Sequence, residues 1–503
     1  MGENCAGWTE KSGKGRPCQF AVEPDEFLFD GNPYCRFHLP MGEEGEGGKA
    51  DWDDFRKELI SRYITASVDV EMKKPEVDRV VLNFRGIVVP AEIDLSKRNV
   101  PYIWFGYAAF FGDANFERAH FISRGEFREA RFSRNTVFRE AEFSGDADFY
   151  AAQFLFITDF EWAQFSLSVD FGEAQFCSQP KFYNAHFLRN ANFRKTRFTR
   201  GAFFNDAKFC ENAGHNENVQ FNNAYFGGSA LFLRAHFFSD AKFVNADFSA
   251  AARFRSAHFH EFANFSSNLP SESDKGRSFK TLDLKNATFG GGVRFSSREF
   301  MDRADFRVTE FKHAPEFHSA TLHQNTIFPE IECFQERNTA RAAQAYQTLR
   351  LAMESQRNRD KEGMFFALEK NSRRRCGEIT GVAKLIDLGY EWGSLYGLRI
   401  LRPLMWLIGG IGVSALLLTG VWAHSAAGGP AGGVIFTQAF GDALLFSAKQ
   451  SFLPFDALRA EKLDYVFNPY GTGWLRVLGF FQTLYSALCI LLLILAVRWR
   501  YRR

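Results

Sequence analysis

The chain has 503 residues, and its 61 Lys and Arg nearly balance its 59 Asp and Glu, for a net charge of +2. This length allows several domains, and the near-neutral balance excludes bulk charge as an argument for nucleic-acid binding. The eight cysteines are scattered along the chain, which excludes a dense disulfide framework and favours a reducing compartment. The N-terminal stretch 1–20 lacks an apolar core, so we expect no signal peptide there.

Residues 1–41 contain a set of metal-ligating residue types. Cys5, Cys18, Cys35 and His38 follow the spacing C-x12-C-x16-C-x2-H. Three thiolates and one imidazole make a complete tetrahedral set for structural Zn²⁺, with no open position for a reacting water. We therefore predict a small zinc-binding segment, stabilised by the metal because it is too short to fold by core burial. The alternative is a tail with unpaired thiols.

Residues 42–104 are predicted to form a linker and an N-terminal cap. The glycine-rich run 42–48 indicates a flexible linker, and 51–63 indicates a short helix. Residues 79–89 alternate as a strand does, and we expect this strand to cap the repeat that follows.

Phenylalanine recurs in alternating steps of five and six residues throughout residues 105–330, for example at Phe116, Phe121, Phe127 and Phe132. A small residue precedes almost every Phe by two positions, which places both side chains on one face of an extended strand. Arg298, two residues before Phe300, departs from this pattern. A helical supercoil does not fit, because these steps would put successive Phe on nearly opposite sides of a helix. The repeat therefore predicts a β-solenoid.

The register breaks at two places within the repeat. Residues 266–285 are predicted to form a polar loop, and residues 211–218 a shorter insertion.

The Ala-x-Phe motif, as in 147–154 and 191–198, resembles the pentapeptide-repeat family. The resemblance covers about residues 105–328 and implies a mainly β fold, a right-handed quadrilateral β-helix with the large residue inside. The six-residue step departs from the family's strict five. It indicates about 22 residues per coil and roughly ten coils in all.

Residues 331–398 change to a helical period. Ala342, Tyr346, Leu349 and Met353 form an apolar stripe, and 362–374 predicts a second helix. We expect a helical hairpin that closes the solenoid, followed by an amphipathic connector. A separate peptide-binding module is the alternative.

Residues 399–503 contain two apolar stretches, 404–423 and 477–497, that carry no charge. Each has the length that a helix needs to cross a bilayer. Arg399 and Arg402 precede the first stretch and Arg498 follows the second, so we expect both termini in the cytoplasm.

The segment 434–455 between these stretches is apolar but contains Asp442, Lys449 and Pro454. It is interpreted either as an amphipathic helix on the membrane surface or as a re-entrant segment. In the second stretch Gln482, Thr483 and Ser486 share one helix face, and they are the candidates to line a pore. Hydrogen bonding between helices is the alternative role for these weakly polar residues.

A first span, a half-inserted segment and a second span follow one another, and this order resembles the two-helix pore module of tetrameric cation channels. The joint arrangement of repeat and spans is similar to that of bacterial pentapeptide-repeat proteins with a C-terminal two-span domain. Residues 446–455 and 481–502 match the usual ending of that family. This second resemblance implies a location in the inner membrane and a topology more than an activity.

No nucleotide-binding, metalloprotease or hydrolase motif is present, and we expect no enzyme. The first functional hypothesis is a homo-oligomeric ion channel, tetrameric by analogy, whose cytoplasmic solenoid senses or assembles. The second is a membrane-anchored scaffold that presents the solenoid to a cytoplasmic protein partner. A DNA mimic is disfavoured because outward repeat positions are rich in arginine, such as Arg118, Arg124 and Arg128.

Overall fold

The computed structural model describes residues 28–29, 32–33, 54–76, 79–212, 214, 217–269, 276, 278–425, 440–441, 443–448, 451 and 472–501. The chain divides into two compact units, Met1–Glu336 and Arg337–Arg503. Each unit is described by itself below.

The first unit contains a parallel β-solenoid of about ten coils, as the repeat predicts. In a regular coil the chain forms four two-residue strands, and each strand pairs with the strand one coil further on. Phe121 pairs with Phe143 and Phe143 with Phe165, so each ladder advances by two five-residue and two six-residue steps. This register confirms the predicted period. The right-handed, quadrilateral course implied by the family resemblance stays a prediction.

The strands form four ladders along the solenoid. One ladder comprises Leu82–Asn83, Ile103–Trp104, Gly125–Glu126, Ala147–Asp148, Val169–Asp170, Ala191–Asn192, Asn218–Gln220, Asp240–Lys242, Ala263–Asn264 and Val293–Arg294. The next comprises Val88–Val89, Ala109–Phe110, Arg131–Phe132, Gln153–Phe154, Gln175–Phe176, Arg197–Phe198, Tyr225–Phe226, Asp247–Arg253, Ser278–Asp283 and Glu299–Phe300. A third comprises Ile93–Asp94, Ala114–Asn115, Thr136–Val137 and Thr158–Asp159, continued by Ala202–Phe203, Ala230–Leu231 and Ala304–Asp305. The last comprises Asn99–Val100, His120–Phe121, Glu142–Phe143, Gln164–Phe165, His186–Phe187, Lys208–Phe209, His236–Phe237, His258–Phe259, Thr288–Phe289 and Glu310–Phe311. A separate antiparallel pair joins Leu28–Phe29 to Asn32–Pro33.

Stacked phenylalanine rings fill the interior of the solenoid. The ring of Phe160 lies parallel to those of Phe138 and Phe182, with centroids 4.8 and 5.0 Å away. It also meets Phe149 and Phe171 edge to face at 5.6 and 5.3 Å. Both geometries are favourable for aromatic pairs, so the repeat places the same stabilising contacts in successive coils.

The alternation of five and six reflects two kinds of corner. The five-residue step contains a β-turn, as where the Ala152 N–H donates to Phe149 O at 3.0 Å and Ala151 has φ +55°. A left-handed residue at the third turn position is the mark of a type II turn. The same conformation recurs at the corresponding turns along the solenoid, even at Trp162 and the β-branched Val308.

The solenoid begins before residue 105. Its first coil is 82–100, where Ile87, Val89, Ile93 and Leu95 occupy interior positions. The Phe signal is absent here because aliphatic side chains fill the same space. The predicted helix at 51–63 is longer, and this helix α1, Asp54–Met72, packs the buried Ile60, Ile64 and Val68 against the first coil. The helix therefore covers the end of the solenoid, a role that the sequence analysis gave to 79–89.

The shorter insertion is confirmed, since Asn192 pairs with Gln220, which lies farther along the chain than a regular coil would place its partner. The polar loop predicted over 266–285 is wrong for its second half. Ser278–Asp283 is a strand, and Phe279 stacks on Phe248 and Phe300 inside the solenoid. Only Phe279 and Leu282 of this strand are buried, and its other four residues are polar, so the stretch resembles a polar loop in the sequence.

Arg298 is buried beside the loop between Phe265 and the strand Ser278–Asp283, which we call the long insertion. Its guanidinium donates to the carbonyl oxygens of Phe265, Gly276 and Ala246, and it lies 4.5 Å from the centre of the Phe279 ring. Burial lowers the pKa of Arg298 to about 9, which leaves it charged at neutral pH. The guanidinium therefore provides hydrogen-bond donors for three backbone carbonyl oxygens beside the long insertion.

The second unit is helical. Helix α2 is Ala340–Ser355 and helix α3 is Arg359–Arg375, and they form the predicted hairpin with Ala342, Tyr346, Leu349 and Met353 buried. Thr339 and Asn358 cap these two helices by accepting from the N–H groups of Ala342 and Lys361. Helix α4 is Gly381–Ser394, α5 is Leu401–Ser425 and α6 is Thr472–Tyr501; residues 443–448 are also helical.

Candidate functional site

Helices α5 and α6 are long and apolar enough to cross a membrane over Leu401–Gly420 and Val477–Arg498. In the most apolar 18-residue stretch of each helix, only 22% of the residues are buried. This low burial is unlike the core helix of a water-soluble protein, where apolar residues are enclosed. The exposed large apolar residues include Met405, Ile408, Val413, Leu416, Phe480, Phe481, Leu484, Leu488, Leu491 and Ile494.

A short helical segment, residues 443–448, lies against the two long helices. Ala443 is buried together with Ala415 and Leu418 of α5. The Ser447 hydroxyl donates to the carbonyl oxygen of Ile411 at 3.0 Å. Ile411 is close to the middle of α5, so the short segment reaches about halfway along that helix. Both alternatives for 434–455, a re-entrant segment and a helix on the membrane surface, stay predictions.

Four polar side chains, Ser447, Ser451, Gln482 and Ser486, form what we call the polar clamp. Gln482 Nε2 donates to Ser447 O at 2.8 Å and to Ser451 Oγ at 3.2 Å. Ser486 Oγ donates to Ser451 Oγ at 2.9 Å. All four residues are buried. In apolar surroundings an unpaired polar group is costly, so these hydrogen bonds fix the short segment against α6.

The structure brings together two of the three predicted pore-lining residues. Gln482 and Ser486 join the polar clamp within one chain, as the inter-helix alternative expects. The hydroxyl of the half-buried Thr483 donates to Gly479 O of its own helix at 2.8 Å. Whether any of the three lines a pore in an assembly stays a prediction.

Sequence reasoning missed Ser447 and Ser451, the partners of Gln482 and Ser486. Their spacing of four residues places them on one face of a helix, which was the available signal.

A glycine lets α5 and α6 approach closely. A Cβ at Gly410 would lie 2.3 Å from Cε1 of Tyr485, whereas a Cβ at Gly409 would meet no atom within 4 Å. The Tyr485 hydroxyl donates to the carbonyl oxygen of Trp406 at 2.9 Å. Small residues at such contacts are typical of helix packing in membranes.

The predicted zinc ligands Cys5, Cys18, Cys35 and His38 lie outside the described residues, so zinc binding stays a prediction. Across the part of the chain that the structure describes, no group of three or more His, Cys, Asp or Glu could hold a metal ion.

Three histidines cluster on one ladder of the solenoid. The rings of His236 and His258 stack with centroids 4.7 Å apart, and His260 stacks on Phe238 at 4.6 Å. Burial, with the neighbouring imidazoles as a second cause, lowers the pKa of His236 and His260. Both imidazoles therefore bind a proton less readily than a free histidine does.

Comparison of the chain with family models, with curated proteins and with solved structures found no match.

Proposed function

We propose that the chain forms a homo-oligomeric membrane ion channel whose cytoplasmic solenoid is a sensing or assembly domain. The observation that carries the proposal is the short helical segment held by the polar clamp about halfway along two long apolar helices. The proposal places the chain with the bacterial pentapeptide-repeat proteins that end in a two-span domain. It also places the spans in the inner membrane with both termini in the cytoplasm.

The exposed apolar surfaces of α5 and α6 support a location in the bilayer. Lipid tails would cover these surfaces, and a helix satisfies its backbone hydrogen bonds internally. The cationic ends support the orientation, since Arg399 and Arg402 lie at the start of α5 and Arg498 near the end of α6.

The half-inserted segment supports a channel over a simple tether. A tether needs one span and no polar contact within it. Non-helical connections at membrane depth occur where protein or a water-filled cavity surrounds them. Two spans cannot enclose a path alone, so the proposal requires several copies in a ring, with Gln482, Thr483 and Ser486 near the path.

The test is mass determination of the full chain in mild detergent, followed by single-channel recording in a planar bilayer. A closed ring with discrete current steps is the expected result. Gln482→Leu and Ser486→Ala should abolish or strongly reduce the current, because they break the polar clamp. The matched control is Leu484→Ala, on the exposed side of the same turn of α6. A monomer or dimer without current would contradict the proposed channel.

Exposed apolar side chains on the solenoid favour a second candidate function, a membrane-anchored scaffold. Phe156, Ile157, Trp162 and Leu167 lie within about half a coil and are exposed. They stand at successive corners between the strands of that coil, where a cytoplasmic protein would contact them. If no current is found, capture of a cytoplasmic protein by the wild type and not by Trp162→Glu would support the scaffold.

A further inference from the structure

Helix α4 exposes an apolar stripe along its whole length. Val382, Leu385, Ile386 and Trp392 are 73%, 69%, 69% and 68% exposed. Their spacing places them on one side of the helix. Contiguous exposed apolar surface marks a site of contact with a protein or a membrane.

The opposite side of α4 is fixed to the helical hairpin. The buried Arg374 of α3 pairs with Asp387 at 3.0 Å and also with Glu391. The Tyr396 hydroxyl donates to Asp387 at 2.8 Å and accepts from Arg374. Because these contacts set the rotation of the helix, the apolar stripe is held outward, away from the hairpin.

The C-terminal end of α4 touches both long apolar helices. The rings of Trp392 and Trp406 of α5 stack with centroids 5.2 Å apart. A Cβ on Gly393 would lie 2.5 Å from Leu492 Cδ1 of α6. The stripe is therefore continuous with the apolar surface that the proposed function gives to lipid. Tryptophan is typical of the level where lipid tails meet headgroups.

Basic residues lie near both ends of α4. Arg375 and Lys384 are exposed near its start, and Arg402, beyond its end, opens α5. The two acidic residues on α4, Asp387 and Glu391, are paired with Arg374. An amphipathic helix with a large apolar face and neighbouring bases is the kind that lies in a bilayer surface and attracts acidic lipids.

We propose that helix α4 lies in the headgroup layer at the membrane surface, with its apolar stripe embedded and acidic lipid headgroups bound by the neighbouring bases. This rests on the membrane location in the proposed function, but not on ion conduction. The partner is the bilayer rather than a second copy of the chain, because the stripe continues onto the lipid-facing helices and is accompanied by bases.

The test places the photoreactive residue p-benzoylphenylalanine at single positions of the full chain in nanodiscs of phosphatidylcholine and phosphatidylglycerol. Mass spectrometry then identifies lipid adducts. We expect adducts at Ile386, enriched in phosphatidylglycerol, and fewer at the exposed Ala383, which lies at the edge of the stripe. Lys384→Gln should reduce the enrichment at Ile386 about fivefold, the effect of one base near an anionic surface.

A third position, the exposed Leu416 in the middle of α5, separates the two proposals. Lipid adducts at Leu416 but not at Ile386 would overturn the inference on α4 alone. A cross-link from Ile386 to a second copy of the chain would overturn it as well. The absence of adducts at Leu416 would instead overturn the membrane location itself.

Discussion

The solenoid and the pair of long helices are built inside out relative to one another. Phe160 in the solenoid is fully buried and charged residues lie outside, whereas in α6 Leu484 is 58% exposed and Gln482 is buried. One rule accounts for both regions, since each places toward its surroundings the groups that those surroundings solvate. The difference supports the proposed placement of the solenoid in water and of α5 and α6 in lipid.

The largest expected effect is at the centre of the solenoid. Phe160→Ala removes two stacked and three edge-to-face ring contacts and should lower local stability by about 3–5 kcal/mol. Phe156→Ala, at an exposed position in the same coil, should cost under about 1 kcal/mol. Hydrogen exchange of the full chain in detergent, read by peptide, measures both. Equal protection loss in the two variants would contradict the assignment of inside and outside.

Arg298 is the exception to the apolar interior of the solenoid. Arg298→Met removes the donors of three buried carbonyl oxygens and should lower stability around the long insertion by about 3 kcal/mol. The control is Arg234→Met, which breaks an exposed pair with Asp206 and should cost under about 1 kcal/mol. Hydrogen exchange of the peptide containing Phe279 is the measurement. Unchanged protection there would mean that water can replace the guanidinium.

Gly410 tests the packing of the long helices. Gly410→Ala forces Tyr485 aside and should destabilise the contact between α5 and α6 by about 1–3 kcal/mol. Gly409→Ala meets open space and should be neutral. Thermal loss of helical circular dichroism in detergent compares the two variants. A similar melting temperature for both would show that α5 and α6 do not meet at Gly410.

Val308 tests the regular turn of the solenoid. This exposed β-branched residue has φ +58°, a conformation that is especially unfavourable for β-branched side chains. Val308→Asn should raise local stability by about 1 kcal/mol, because Asn adopts the left-handed region more easily. Increased protection from hydrogen exchange at the neighbouring Thr309 would support this. A loss of protection would mean that Val308 makes a stabilising contact.

The smallest effect concerns the histidine cluster. The pKa values of His236 and His260 are lowered in the folded chain, so the unfolded chain binds more protons as the pH falls. The solenoid should therefore lose stability below about pH 6.5, the unfolded value, and keep it above. Nearby Lys208 and Lys312 act in the same direction, and Asp206 and Glu261 oppose it. His236→Gln should flatten this dependence in urea titrations across the pH range; an unchanged slope would contradict it.

The candidate site was only partly predictable. The face shared by Gln482 and Ser486 follows from helical spacing, but their partners lie 31 to 35 residues away. Spacing within one helix cannot choose between a pore and a neighbouring helix, because both satisfy a polar side chain. The rotation of α4 was hidden for a similar reason, since it depends on Arg374 in another helix.

The sequence by itself determined the length of the repeating coil and the two long apolar helices. Both depend on neighbours at fixed short distances along the chain, either successive Phe positions or consecutive apolar residues. The tertiary structure alone decided where the solenoid begins, what Arg298 does and what the polar clamp holds. These features depend on contacts that no period repeats, so only the folded chain specifies them.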